Sequence, residues 1–313
     1  MSTPIPPGNG SRRADGRTDL LRPQELAALG GFEFVARHVV EGFIAGLHRS
    51  PHRGFSVEFA EHRMYQPGDD LRYVDWRMFG RSDRYYIKQF EEETNLRAYL
   101  LVDVSASMAW TSAEGTLPPK LWYAKQLAAS LALLLMRQGD AVGLIGFDEQ
   151  TRAHLAPRGG RRHWRDLVHA LEGLNGSGQT DAGVALRDLA SRLRRRGLVV
   201  LISDLLVDQE ATRTALSFLR HRGHEVLVFH LLDPGERDLP GMGEARFIDP
   251  ETGEELPVSV ADLRREYREA VEHALSEWRA TLAAQHIDYM IVETDQPMVH
   301  ALRKYLHKRE HLG

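Results

Sequence analysis

The chain has 313 residues, 42% hydrophobic and 27% charged, with a net charge of −4. This balance excludes both a charge-driven disordered protein and one bound to nucleic acid by bulk basicity. The lack of cysteine excludes disulfides, thiolate metal sites, iron–sulfur clusters and thiol nucleophiles, and it fits a reducing cytoplasm. The longest apolar run, residues 127–136, is about half of the ~20 residues a membrane span needs; flanked by Lys125 and Arg137, it reads as a core helix.

The opening stretch, "MSTPIPPGNGSRRADGRTD", has no apolar h-region and is rich in Pro, Gly and charge, so residues 1–23 read as a disordered tail and not a signal peptide. A cytoplasmic protein is expected. Residues 24–47 carry apolar side chains at near-helical spacing interrupted by Gly30 and Gly31, which predicts one or two helices. Phe55, Val57 and Phe59 then alternate with polar residues as in a strand, with Pro67-Gly68 as the following turn. Residues 24–95 are therefore expected to form a small mixed helix and strand segment ahead of a main domain over 96–313.

From Ala98 the pattern becomes strand, helix, strand, helix. "RQGDAVGLIGF", "RRRGLVVLISD" and "RHRGHEVLVFHLLD" each place basic residues in a last helical turn, then Gly139, Gly197 or Gly223 as a left-handed stop, then an apolar strand. Apolar strands alternating with helices predict an α/β fold with a mostly parallel central sheet covered on both faces, beginning at "AYLLVD" and ending at "HIDYMIVET". Trp164, Leu167, Val168, Leu171 and Leu174 make one core stripe, and Leu263, Tyr267, Val271, Ala274, Trp278 and Leu282 another. Around "DPETG", a β-hairpin is expected as an insertion at about 234–257, after the fifth core strand.

The first core strand ends abruptly in an acid: "LLVDVSASMAW" runs into Asp103, followed at alternate positions by Ser105 and Ser107. Loops at the carboxyl ends of parallel strands form the ligand crevice of such folds, and one carboxylate with two hydroxyls is a hard-donor set suited to Mg²⁺ or Mn²⁺. "NGSGQTDAGVAL" presents Thr180, and "LVVLISD" ends another strand in Asp204. Each residue also has a plainer reading: Ser105, Ser107, Thr180 and Asp204 can cap turns or helices, as can Asp148, Asp181 and Asp208, which are kept out of the set.

In this order Asp103, Ser105, Ser107, Thr180 and Asp204 resemble a metal-ion-dependent adhesion site, and residues from about 98 to 312 resemble a von Willebrand factor A domain. The resemblance implies a metal held by the two serines and the threonine, with the carboxylates acting through water and one position left open for a partner's Asp or Glu. The upstream stretch is similar to the signature of the domain-of-unknown-function 58 family, carried by Arg63, Tyr65, Gly68, Asp69, Asp70, Arg72, Asp75 and Trp76; Lys88, residues 91–93, "DPETG" and "TDQPMVHALRKYLHKR" match too. That family implies a MoxR-type AAA+ ATPase as partner. The charged residues of the signature are expected to form an ion-pair joint between the small segment and the main domain, the other reading being a partner-docking surface.

Phosphate loops, nucleophile elbows and His-Glu-x-x-His motifs are absent. A haloacid-dehalogenase-like phosphatase using Asp103 is the alternative, although its second Asp is replaced by Ser105. "RGGRRHWR" and "RLRRRG" read as solvated helix faces and not as nucleic-acid contacts, and the histidines show no ligand spacing. The expectation is a non-enzymatic, metal-dependent protein-interaction module, an adaptor without a membrane span.

Overall fold

Alternation within the strands sets the architecture of the main sheet. In "RAYLLVD", Ala98, Leu100 and Val102 point into one apolar cluster and Tyr99 and Leu101 into another. The same division holds in "LVVLIS", with Leu198, Val200 and Ile202 on one side and Val199 and Leu201 on the other. A strand apolar on both sides must be covered on both sides, and each large apolar side chain so buried contributes about 1.5–3 kcal/mol.

The computed structural model describes residues 21–48, 62–65, 76–82, 84–88, 96–176, 182–193, 195–239, 244–248 and 255–310. Helices α1 (Pro23–Ala28) and α2 (Phe32–His48) come first, broken at Gly30–Gly31 as expected. Strand β1 (His62–Met64), helix α3 (Trp76–Ser82) and strand β2 (Tyr86–Lys88) follow, with β1 and β2 antiparallel. The strand expected over Phe55–Phe59 lies outside the described residues.

The main domain continues with β3 (Arg97–Asp103), α4 (Lys120–Arg137), β4 (Ala141–Phe147), β5 (Thr151–Arg158), α5 (Arg161–Gly173), α6 (Ala182–Arg192) and β6 (Leu198–Ser203). Next are α7 (Gln209–His221), β7 (Glu225–Leu232), α8 (Pro234–Arg237), β8 (Glu244–Ile248) and β9 (Glu255–Ser259). The chain closes with α9 (Val260–Ala284), β10 (Asp288–Glu293) and α10 (Met298–Glu310).

The six-stranded sheet has the order β10-β7-β6-β3-β4-β5, parallel throughout except for β5. With β3 counted as first, the order is 3-2-1-4-5-6, that of a doubly wound fold. Side chains of α2, α4, α5 and α10 pack on one face and those of α6, α7 and α9 on the other, which is the mostly parallel, doubly covered α/β sheet expected from the sequence. Helix α2 shares this main core through Val35, Ala36, Val39, Val40 and Phe43, and the Trp164 indole N–H donates to Glu33 at 2.9 Å.

Four details differ from expectation or refine it. Edge strand β5 was not foreseen, because it is apolar on one side only: Ala153 and Leu155 pack inward while Arg152 and His154 are exposed. Gly139 and Gly223 are left-handed, with φ of 86° and 83°, but Gly197 is not. Gly197 is required for closeness instead, since a Cβ there would lie 2.1 Å from the Arg97 carbonyl oxygen. Of the α9 stripe only Trp278 and Leu282 are buried, with Leu275 beside them, while Leu263 is exposed; a helix of 25 residues runs about 37 Å, well past the ~20 Å of a six-residue strand. The hairpin, β8 with β9, falls at 244–259, with α8 preceding it.

Candidate functional site

The strand order reverses between β3 and β6: from β3 the chain builds outward on one side through β4, and from β6 outward on the other through β7. Loops leaving that pair part from each other, and in folds of this kind ligands bind over such carboxyl ends. Asp103 closes β3 and Asp204 follows the last residue of β6.

Asp103 has no exposed surface. Its Oδ1 accepts the Ser105 N–H at 2.9 Å, and its Oδ2 accepts the Ser203 hydroxyl at 2.6 Å. Ser105 precedes a short 3-10 turn (Ala106–Ala109), where a cap would act, yet its side chain makes no capping bond. Its Oγ lies instead 3.0 Å from the Ser107 Oγ, and the Ser107 side chain is near enough to Asp204 to favour its charged form. Asp204 accepts the Leu206 N–H at 3.1 Å on Oδ1. The intervening Leu205 is left-handed (φ 53°), a conformation a branched side chain adopts at a cost, and its N–H is held by the Ser203 Oγ at 3.0 Å.

The residue that sequence reasoning missed is Lys120. It opens α4, is 0% exposed, and its ammonium donates to Asp204 Oδ2 at 2.8 Å and to Glu236 Oε1 of α8. Glu236 is itself fixed by the Asp233 N–H at 2.9 Å, and Asp233 caps α8 while accepting the Ser112 N–H from the loop after β3. The ring of Trp110 stands 5.8 Å from the Lys120 Nζ. A signal for Lys120 was present: it lies four and seven residues ahead of Ala124 and Leu127, on the buried stripe of its helix.

Asp204 and Glu236 both meet the Lys120 ammonium, and Asp103 is a further buried carboxyl within electrostatic reach of Asp204. Burial and the neighbouring Asp204 charge push the Asp103 carboxyl up to about 7, against the pull of its Ser203 and Ser105 donors. Asp204 behaves oppositely: burial would raise it, but the Lys120 charge and donated hydrogen bonds outweigh burial and hold it below the usual carboxylate range. Lys120, which burial alone would depress, is raised by Asp204 and Glu236. Burial raises Glu236 despite Lys120. On the next strand His230 is pushed down to about 4 by burial, although the Asp204 charge favours its proton.

Two oxygen ligands at right angles on an octahedral Mg²⁺, each about 2.1 Å from it, lie about 3 Å apart. The Ser105 and Ser107 hydroxyls already stand at 3.0 Å. The two hydroxyls, hydrogen-bonded to each other, thus stand at a spacing that a hard divalent cation would accept. Among the described residues no cluster of three or more His, Asp or Glu could hold a metal, so this donor set rests on hydroxyls as much as on carboxylates.

Of the expected site residues, the structure brings Asp103, Ser105, Ser107 and Asp204 together, while Thr180 lies outside the described residues. In the upstream signature, Tyr65 donates its N–H to the Tyr85 carbonyl at 3.0 Å, and Arg63 faces Ile87 across the β1–β2 pair. Asp69, Asp70, Arg72, Asp75 and the side chains of Arg63 and Trp76 lie outside the described residues. Asp208 caps α7 and Asp148 holds the β4–β5 turn, as expected of residues kept out of the set.

Fold and site together define a doubly wound α/β protein with a mixed hydroxyl and carboxylate cluster at the switch point of its sheet. Residues 61–277 match the family described as "Protein of unknown function DUF58", and the chain belongs to that family. "Uncharacterized protein Rv1480" of Mycobacterium tuberculosis and "Uncharacterized protein Mb1516" of Mycobacterium bovis are each 30% identical to it over 244 residues, which is 76% of this chain and 74% of theirs. Among solved structures, the conserved hypothetical protein BatB from Bacteroides thetaiotaomicron is 18% identical, with a TM-score of 0.46 over 68% of this chain and 98% of its own. The SpRpn10 VWA domain is 12% identical, with a TM-score of 0.41 over 67% of this chain and 95% of its own. No helix among the described residues is long and apolar enough to cross a membrane.

Proposed function

We propose that this protein is a non-enzymatic interaction module that engages an acidic residue of a partner through a divalent cation at the carboxyl edge of its sheet. The observation that carries the reading is the pair of Ser105 and Ser107 hydroxyls, 3.0 Å apart and unused as caps, set between Asp103 and Asp204. Ser105, Ser107 and Thr180 would hold Mg²⁺ or Mn²⁺ directly, with Asp103 and Asp204 reaching it through water, and the cation supplies a vacant position for a partner's carboxylate. Both oxygens of each Asp are already held by internal donors, which suits carboxylates that stand back from the ion. Family resemblance makes a MoxR-type AAA+ ATPase the proposed partner, with this chain as its cytoplasmic adaptor.

The phosphatase reading has no geometric support. A nucleophilic Asp must reach a phosphoryl group, whereas Asp103 is buried with both oxygens engaged and burial favours its protonated form.

Mn²⁺ binding followed by electron paramagnetic resonance, with Mg²⁺ as competitor, tests the proposal. Saturable binding to the wild type that is lost in Asp103→Ala and Ser107→Ala, with far-UV circular dichroism unchanged, is the expected result. Equal, measurable binding by all three proteins would overturn it.

A further inference from the structure

We infer that Lys120 is a built-in competitor for the cation site, a positioning residue that holds Asp204 and keeps the intrinsic affinity for a divalent ion low. The inference rests on the cation-site reading above and adds its regulation. A fully buried lysine is rare unless paired, and this one is bound to a residue of the candidate site itself: its ammonium lies 2.8 Å from Asp204 Oδ2. The Ser107 side chain neighbours Asp204 and favours its charged form, so the positive charge sits one carboxylate away from the hydroxyl pair.

An ammonium so placed acts in two ways. It withdraws electron density from the oxygen it holds, making Asp204 a poorer acceptor for a metal or its bound water. It also repels any cation on the neighbouring hydroxyls, and in a buried setting that repulsion is weakly screened. Glu236 fixes the ammonium from its other side, and Glu236 is oriented by the Asp233 N–H, so Lys120 is gripped and does not swing freely.

The consequence is conditional occupancy. A partner's carboxylate brings a negative charge that offsets the Lys120 ammonium, so cation and partner bind better together than either does alone. Lys120 thereby favours acidic partners over neutral ones without touching them.

Removing Lys120 leaves the buried Asp204 and the half-buried Glu236 without their counter-ion, which is strongly destabilising, so Lys120→Met is to be accompanied by the double variant Lys120→Met/Glu236→Gln. The probe is Mn²⁺ alone, titrated at pH 7 by electron paramagnetic resonance against the wild type, Asp103→Ala and both Lys120 variants, with folding monitored by circular dichroism. Lys120 acting as competitor requires Mn²⁺ to bind the folded Lys120 variants at least tenfold more tightly than the wild type. A merely structural lysine would leave affinity unchanged or lower it, and that result in the folded double variant overturns the inference. If Asp103-dependent binding is seen in the wild type but does not tighten, the inference fails and the cation site stands. If Mn²⁺ binds neither the wild type nor the double variant, both fail. Binding that emerges only in the double variant supports both.

Discussion

Asp103→Asn is expected to stabilise the protein in metal-free buffer at pH 8. The Asp103 carboxyl is raised from 3.8 to about 7, chiefly by burial and then by the Asp204 charge. Between those values the folded chain keeps a proton that the unfolded chain has lost, so stability falls as pH rises through the window and is level above it. At 1.36 kcal/mol per pH unit the full penalty is about 4 kcal/mol, which the neutral, isosteric Asn does not incur. Asn accepts the Ser105 N–H as Asp does, but its amide group cannot accept the Ser203 hydroxyl, a loss of about 1–2 kcal/mol. The net gain at pH 8 is about 2–3 kcal/mol, a rise of roughly 4–8 °C in melting temperature. As pH is lowered the gain shrinks, and near pH 5 the two effects cross. Thermal unfolding in EDTA at pH 8, 6 and 5 checks this, and saturating Mg²⁺ should erase the advantage by stabilising only the wild type. An Asn variant less stable than the wild type at pH 8 would refute the reasoning.

Two further outcomes are expected. His230, lowered from 6.5 to about 4 by burial, is neutral in the folded chain where the unfolded chain gains a proton, so its contribution is complete above pH 6.5 and is lost as pH falls towards 4. The loss amounts to roughly 3 kcal/mol and opposes the Asp103 effect in nearly the same window; urea unfolding of Asp103→Asn should therefore show a steep acid limb that His230→Gln in that background flattens. Gly197→Ala should cost several kcal/mol, because its Cβ would sit 2.1 Å from the Arg97 carbonyl oxygen, whereas Gly139→Ala, at φ 86° with open space around it, should cost about 1–2 kcal/mol. The reverse order in paired urea melts would contradict the steric assignment.

What could be read from the sequence followed burial symmetry. Strands apolar on both sides, such as those ending in Asp103 and Ser203, announce themselves as continuous apolar runs, and an acid at the end of such a run marks the sheet edge where ligands gather. Strand β5 has one wet side and its outer edge is unpaired among the described residues, so Arg152 and His154 break its run and it passes for a loop. Lys120 was overlooked for a related reason. A charged residue at a helix start reads as a solvated end, and only the separate fates of Asp204 and Glu236, far away in sequence, give it two carboxylates to bury against. Gly197 was placed correctly for the wrong cause: helix ends suggest left-handed glycine, but here the demand comes from the backbone of a neighbouring strand.

Trp110 gives the chain an optical reporter of its own. The indole ring lies 5.8 Å from the Lys120 Nζ, close enough for the ammonium's field to act on its π-system. Any event that moves that charge away from Asp204 also changes the field at the indole, so the emission of this one residue, isolated by replacing the other four tryptophans with phenylalanine, can follow the state of the sheet edge in real time without an added label.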